Sequence, residues 1–131
     1  MSETFSALLN HLFNTAYPPG RGPHTSAELV AGLANQGIQI SAPYVSQLRS
    51  GVRTRPSWPT IEGIAKFFRV SPAYFTDDYY RQLVDEDLSL LAAMRDEEVR
   101  RVADRVVGLS SAAVDEIASR VEELRVKEHL D

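Results

Sequence analysis

Apolar residues recur along this chain at spacings of three and four, the period of a helix with one buried face, and predict an all-α protein. Phe5, Leu8, Leu9, Leu12 and Phe13 form the first such stripe and predict a helix over residues 4–16. The run AYPPGRGPH, residues 16–24, breaks the pattern with adjacent prolines and two glycines and predicts a loop. Thr25-Ser26-Ala27-Glu28 is a capping box, in which Thr25 accepts from the first turn and Glu28 reaches back to it. The helix it opens carries Leu29, Val30, Leu33 and Ala34, and Gly37 ends it. After a GIQI connection, a short helix is expected from Ser41 as N-cap, with Pro43 in its first turn and Gly51 as its stop. Val45 and Leu48 point inward, leaving Tyr44, Ser46, Gln47 and Ser50 outside, and a loop with Arg53 and Arg55 comes next. Ser57 caps a further helix whose core face is Ile61, Ile64, Ala65, Phe67 and Phe68, and Ser71-Pro72 opens a turn closed by Tyr74 and Phe75. These aromatics read as core; Trp58, beside the basic loop, is the exception.

From Asp78 the helices become rich in acids. Leu83, Val84, Leu88, Leu91 and Met94 are read as one stripe, and Val99, Val102, Ala103 and Val106 come after Asp96 as another that Gly108 ends. In the last helix, begun by Ser110, residues Val114, Ile117, Val121 and Leu124 stand at spacings of three, four and three, the seam of a coiled coil. These helices are too few to bury their apolar faces against one another. A homodimer through the tail is the simplest expectation, with Leu83, Leu88, Leu91, Val114, Ile117, Val121 and Leu124 as its contacts. The competing reading is a monomer whose tail folds back on the head. Two domains are therefore expected, 1–77 and 78–131.

Charge sharpens this division. The net charge of −4 argues at first against a polyanionic partner. Residues 1–77 nevertheless hold six Lys/Arg against four acids, and residues 78–131 hold eight against fourteen. Attraction to phosphate is local, decaying within roughly 8 Å at physiological salt, so a mildly basic head on an acidic tail is compatible with binding by the head alone. No apolar run approaches a membrane span, the N-terminus lacks the pattern of a signal peptide, and there is no cysteine, which together point to the cytoplasm. Enzymatic roles find no support. His11, His24 and His129 are scattered, paired acids such as Glu97-Glu98 read as solvated helix surface, and Gly20-Arg21-Gly22 lacks the strand and helix of a phosphate cradle. Neither a metal nor a cofactor is expected.

The stretch SAPYVSQLRSGVRTRP, residues 41–56, is richest in chemistry. A short helix with a small polar outer face and a basic exit suits a DNA major groove, where polar groups meet base edges and arginines meet phosphate. An amphipathic surface helix with a basic loop fits the same chemistry. The order of residues separates them: YVSQLRSG, a basic loop, then PTIEGIAKFFRVSPAYF resembles the Xre/lambda-repressor-like helix-turn-helix family over about the first 77 residues. PPGRGPHTSAE, SAPYVSQLRSG, AYFTDD and MRDEEVRRVA extend the resemblance, over nearly the whole chain, to the EspR-type nucleoid-associated regulators of mycobacteria and related actinobacteria.

The resemblance implies double-stranded DNA as partner. It implies base-reading positions at Ala42, Pro43 and Gln47, a phosphate contact at Ser41, and a helix opened by Thr25 whose N-terminal amides face a phosphate. Ala42 suits a thymine methyl and Gln47 an adenine edge; Tyr44, Ser46 and Ser50 add polar contacts, and Arg53 and Arg55 add backbone contacts. Arg21 and His24 at the tip of the 16–24 loop read either as backbone contacts or as part of a solvated loop. With Gln47 almost alone as a bidentate group, modest discrimination and phosphate-dominated binding are expected. Two features depart from the wider family: the long loop at 16–24, which the EspR-type proteins share, and the GIQI connection. At Arg49 the family usually has a glutamate paired with an arginine of the first helix, which this chain lacks; Arg49 is left to bond Asn14 or a carbonyl within the head, or to reach DNA. The EspR-type resemblance further implies an architectural regulator, dimeric through its tail, that bridges or loops distant sites and forms higher assemblies on DNA. The alternatives are a local operator-specific repressor and, from another class, a protein-interaction adaptor or antitoxin-like module.

Overall fold

The computed structural model describes residues 4–130, and their regular structure is all helical, with no strand among the described residues. In chain order the helices are α1 (Phe5–Thr15), α2 (Ser26–Asn35), α3 (Ala42–Ser50), α4 (Trp58–Phe68), a 3-10 turn (Pro72–Phe75), α5 (Asp78–Ala93), α6 (Glu97–Val106) and α7 (Ser111–Lys127). The expected N-caps are in place: the side chains of Thr25, Ser41, Ser57, Ser71 and Ser110 each accept a hydrogen bond from the first turn of the element they precede. Gly51 closes α3 at φ 85°, in the left-handed region where a side chain is strained. No described helix is long and apolar enough to cross a membrane.

The chain divides into two compact units, one ending at Arg95 and the other beginning at Asp96. In the first, Leu9, Leu12, Leu29, Leu33, Val45, Leu48 and Ile64 are fully buried, together with Phe13 and Tyr74. These are inward positions that apolar spacing predicts in α1 to α4 and the 3-10 turn, although Ile61, expected on the α4 core face, is only half-buried. Helices α2 and α4 approach closely at Gly32, where even a β-carbon would overlap the Phe67 ring. Across the same contact, Gln36 Nε2 donates to the Gly63 carbonyl at 3.1 Å.

Helix α5 belongs to this first unit, which the expected division after Asp77 does not anticipate. Leu88 is buried in the head's core, and Val84 and Tyr80 pack against it. Arg81 donates to the Tyr74 carbonyl at 3.0 Å and pairs with Asp78, while the Tyr74 hydroxyl donates to Asp85 at 2.8 Å. Leu88 is thus core rather than a surface contact. Leu83 and Leu91 remain about half exposed.

The second unit contains α6 and α7, joined through a turn at Gly108 with φ 91°. None of its described residues is buried. Val114 and Val121 are exposed, Ile117 and Leu124 half-buried. An apolar cleft of about 420 Å³ opens among Val102, Val106, Leu109 and Ile117.

Helix α3 is locked to α1 by polar side chains. Ser6 Oγ and Asn10 Nδ2 both donate to the Arg49 carbonyl, at 2.6 and 2.9 Å, and so satisfy an acceptor in the last turn of α3. Arg49 Nε returns a bond to Asn10 Oδ1 at 2.8 Å, and its guanidinium lies 4.0 Å from the Phe13 ring centroid. Asn10→Ala leaves both the carbonyl and the guanidinium short of a partner in a part-buried site, and is expected to lower stability by about 1–3 kcal/mol. A thermal midpoint several degrees below wild type in a calorimetric scan checks this.

Candidate nucleic-acid interface

The surface of α3 is set by the two residues it buries. With Val45 and Leu48 inward, Ser41, Ala42, Ser46 and Ser50 are exposed and Tyr44 and Gln47 half-exposed, as the helical period requires. A shallow groove of about 720 Å³ runs along this face, lined by Gln39, Ser41, Pro43, Tyr44, Gln47 and Arg53. The left-handed turn at Gly51 brings the chain back over α3, where the Arg53 amide donates to the Gln47 carbonyl at 3.1 Å. The Arg53 side chain continues the return. Its Nε donates to Gln47 Oε1 at 2.7 Å, and its guanidinium carbon lies 5.7 Å from the Tyr44 ring centroid. Arg55 is exposed on the same loop, and Trp58 is half exposed at the start of α4. The groove therefore combines hydroxyls, two amides and one arginine, with no carboxylate among its lining residues. Such a surface can donate to phosphate and to base-edge acceptors.

At the α2 N-terminus the capping box is complete: Glu28 N donates to Thr25 Oγ1 at 3.1 Å and Thr25 N to Glu28 Oε1 at 3.0 Å. Glu28 also takes a bidentate pair from Arg21, at 2.7 Å for both contacts, and lies 3.3 Å from His24 Nδ1. The Arg21 guanidinium, then the Thr25 amide and His24, hold the Glu28 carboxyl well below the usual carboxylate range, and Arg21 is raised in return. The 16–24 loop is thus strapped to α2, with the Arg21 charge already offset by Glu28.

Arg49 lies inside the head. Its partner on α1 is Asn10 rather than Asn14, one turn earlier, with Ser26 Oγ of α2 at 3.5 Å from Nη1. The charge balance also changes with the true extent of the head. Helix α5 adds Asp78, Asp85, Glu86 and Asp87, so residues 1–95 carry eight Lys/Arg against eight Asp/Glu. Attraction to a polyanion must come from where the arginines sit, not from an overall positive head. Sequence reasoning missed the Ser6–Asn10 clamp, the Arg21–Glu28 pair and the Arg53–Gln47 pair. Only the second carried a local signal, a basic residue seven positions before the acid of a capping box.

An all-α protein built on a helix-turn-helix, with α2 and α3 as its paired helices, is the class that this fold and surface define. No protein-family model matches the chain. The proteins named "Nucleoid-associated protein EspR" from Mycobacterium tuberculosis strains CDC 1551 / Oshkosh and ATCC 25618 / H37Rv are each 56% identical to it over 131 residues, all of this chain and 99% of theirs. The chain belongs to the EspR family of nucleoid-associated proteins.

The strap gives a pH-dependent expectation. A carboxyl depressed in the folded state contributes stability that is fully present above its unfolded value, about 4.3 for Glu, and is lost as pH falls toward the folded one. The thermal midpoint of wild type should exceed that of Glu28→Gln by a constant margin from neutral pH to pH ~5 and by a shrinking margin below pH ~4. Parallel melting curves across that range check it.

Proposed function

We propose that this chain is a DNA-binding, nucleoid-associated regulator that lays α3 in a major groove and associates through its tail into a homodimer. The observation that carries the reading is the groove along α3, whose exposed hydroxyls, Gln47 and returning Arg53 stand on a helix pinned to α1. Ser41, Ala42, Tyr44, Ser46, Gln47 and Ser50 meet bases and the adjoining backbone, and Arg53 and Arg55 hold phosphate. The α2 N-terminus at Thr25 contributes a further backbone contact. Arg21 contributes less, because Glu28 already offsets its charge. Identity over the full length to proteins named as nucleoid-associated supports a place in the nucleoid and a role at many sites. The general likeness to Xre-type regulators over about the first 77 residues supports the same docking of α3.

The tail supports self-association. A helical unit shorter than about 40 residues, with none of its described residues buried, lacks the core to stand alone and needs a partner face. Val114, Ile117, Val121 and Leu124 of one copy supply that face to another, and Leu83 and Leu91, half exposed on α5, are further candidate contacts between copies. Two heads on one dimer can then occupy separate sites and bridge or loop DNA, with higher assemblies forming where dimers bind side by side.

Arg53→Ala combined with Arg55→Ala should weaken binding to every sequence tested. The slope of log K against log salt should flatten by about two units if each arginine neutralises one phosphate. Fluorescence anisotropy titrations across a salt series provide the measurement, and an unchanged slope would remove both arginines from the phosphate contact.

A further inference from the structure

Gln47 has an amide with two faces: a carbonyl oxygen that accepts and an amino group that donates twice. A glutamine free to use both recognises adenine, whose major-groove edge offers one acceptor, N7, beside one donor, the N6 amino group. In this protein one of the two acceptor positions on that oxygen is occupied. Arg53 Nε lies 2.7 Å from Gln47 Oε1. A guanidinium has no acceptor, so the atom facing it must be the oxygen, and the amide has only one orientation that avoids a clash of donors. The arrangement is tethered at three points. The Arg53 amide bonds the Gln47 carbonyl at 3.1 Å, Nε bonds the side chain, and the guanidinium lies beside the Tyr44 ring at 5.7 Å. The left-handed Gly51, φ 85°, turns the chain so that all three are made.

We propose that Arg53 sets the reading polarity of Gln47, making the pair a donor-only reader that selects guanine over adenine in the major groove. Guanine presents two adjacent acceptors, N7 and O6, to which the Gln47 amino group and the terminal nitrogens of Arg53 both donate. Adenine would place its N6 amino group, a donor, against the Gln47 amino group and beside the arginine's positive charge. The second lone pair on Oε1 does not rescue that contact, because it brings the same amino group within reach of the guanidinium. Arg53 is accordingly a positioning residue for Gln47 as well as a charge. The inference rests on α3 being the groove-reading helix.

The test is selection of duplexes from a randomised library at low salt by the full-length protein, its Gln47→Ala variant and its Arg53→Ala variant. Both side chains lie at the surface, and an unchanged circular dichroism spectrum verifies each fold. At the position where Gln47→Ala loses its preference, wild type should favour guanine over adenine by about fivefold or more. Arg53→Ala should bring that ratio to one or invert it toward adenine, with preferences elsewhere retained. Loss of a phosphate contact would lower affinity for all sequences and leave the ratio unmoved. Adenine selected by wild type, or a guanine preference that survives Arg53→Ala, would overturn the proposal. A wild type that selects duplexes while no position responds to Gln47→Ala removes Gln47 as a reader and the proposal with it. A wild type that binds no duplex instead overturns the DNA-binding reading beneath both.

Discussion

The attachment of α3 to α1 is the contact on which the rest of the head depends. A nine-residue helix is too short to be stable in water by itself, and two buried side chains, Val45 and Leu48, give it a position along only one face. Ser6 and Asn10 supply what hydrophobic burial cannot, a directional hold on the carbonyl of Arg49. The Arg49 side chain then reaches across Phe13 to Ser26, so α1, α2 and α3 meet at one residue. Hydrogen bonds each contribute on the order of 1 kcal/mol net, and their larger consequence here is orientation. They fix which face of α3 is outward, and hence which side chains a groove would meet. The Gly51 turn adds a second layer, since it brings Arg53 back onto Gln47.

Helix α5 changes how the two halves of the chain are understood. It is acidic, yet its inward residues complete the head: Leu88 enters the core, Arg81 bonds the Tyr74 carbonyl, and Asp85 accepts from the Tyr74 hydroxyl. The charge of the head then sums to zero, so in the proposed mode of binding the phosphate contacts fall to the arginines of the 52–57 loop and to the exposed α2 N-terminus. An interface of that kind is weakly basic in total and locally strong. Beyond Arg95 the chain forms a pair of helices with exposed valines and no buried residue among those described, which is the basis of the proposed self-association.

Most of the fold was legible because it rests on local rules. Capping residues at Thr25, Ser41, Ser57 and Ser110, the glycine at 51, and apolar spacing in α1 to α4 each act within a turn or two, and all appear in the structure as expected. The outward residues of α3 were legible for the same reason. The features that escaped involve partners far apart in sequence. Asn10 and Arg49 are separated by 39 residues, and nothing near either one announces the other. The allegiance of α5 was hidden because acidic composition at its exposed positions outweighed the signal of Val84 and Leu88, which stand one turn apart on its inner face. The Arg53–Gln47 pair depends on a loop conformation that propensity does not specify beyond Gly51.

The most direct test of the central claim is equilibrium binding of the purified full-length protein to a long mixed-sequence duplex and to short duplexes of about 20 bp, at two salt concentrations. Tight, salt-sensitive binding to the long duplex and weak binding to every short one is the expected result for two heads held on one dimer. High affinity for a single short palindrome would contradict the bridging role and favour a local repressor. No binding to either duplex at low salt would contradict DNA binding by α3 altogether.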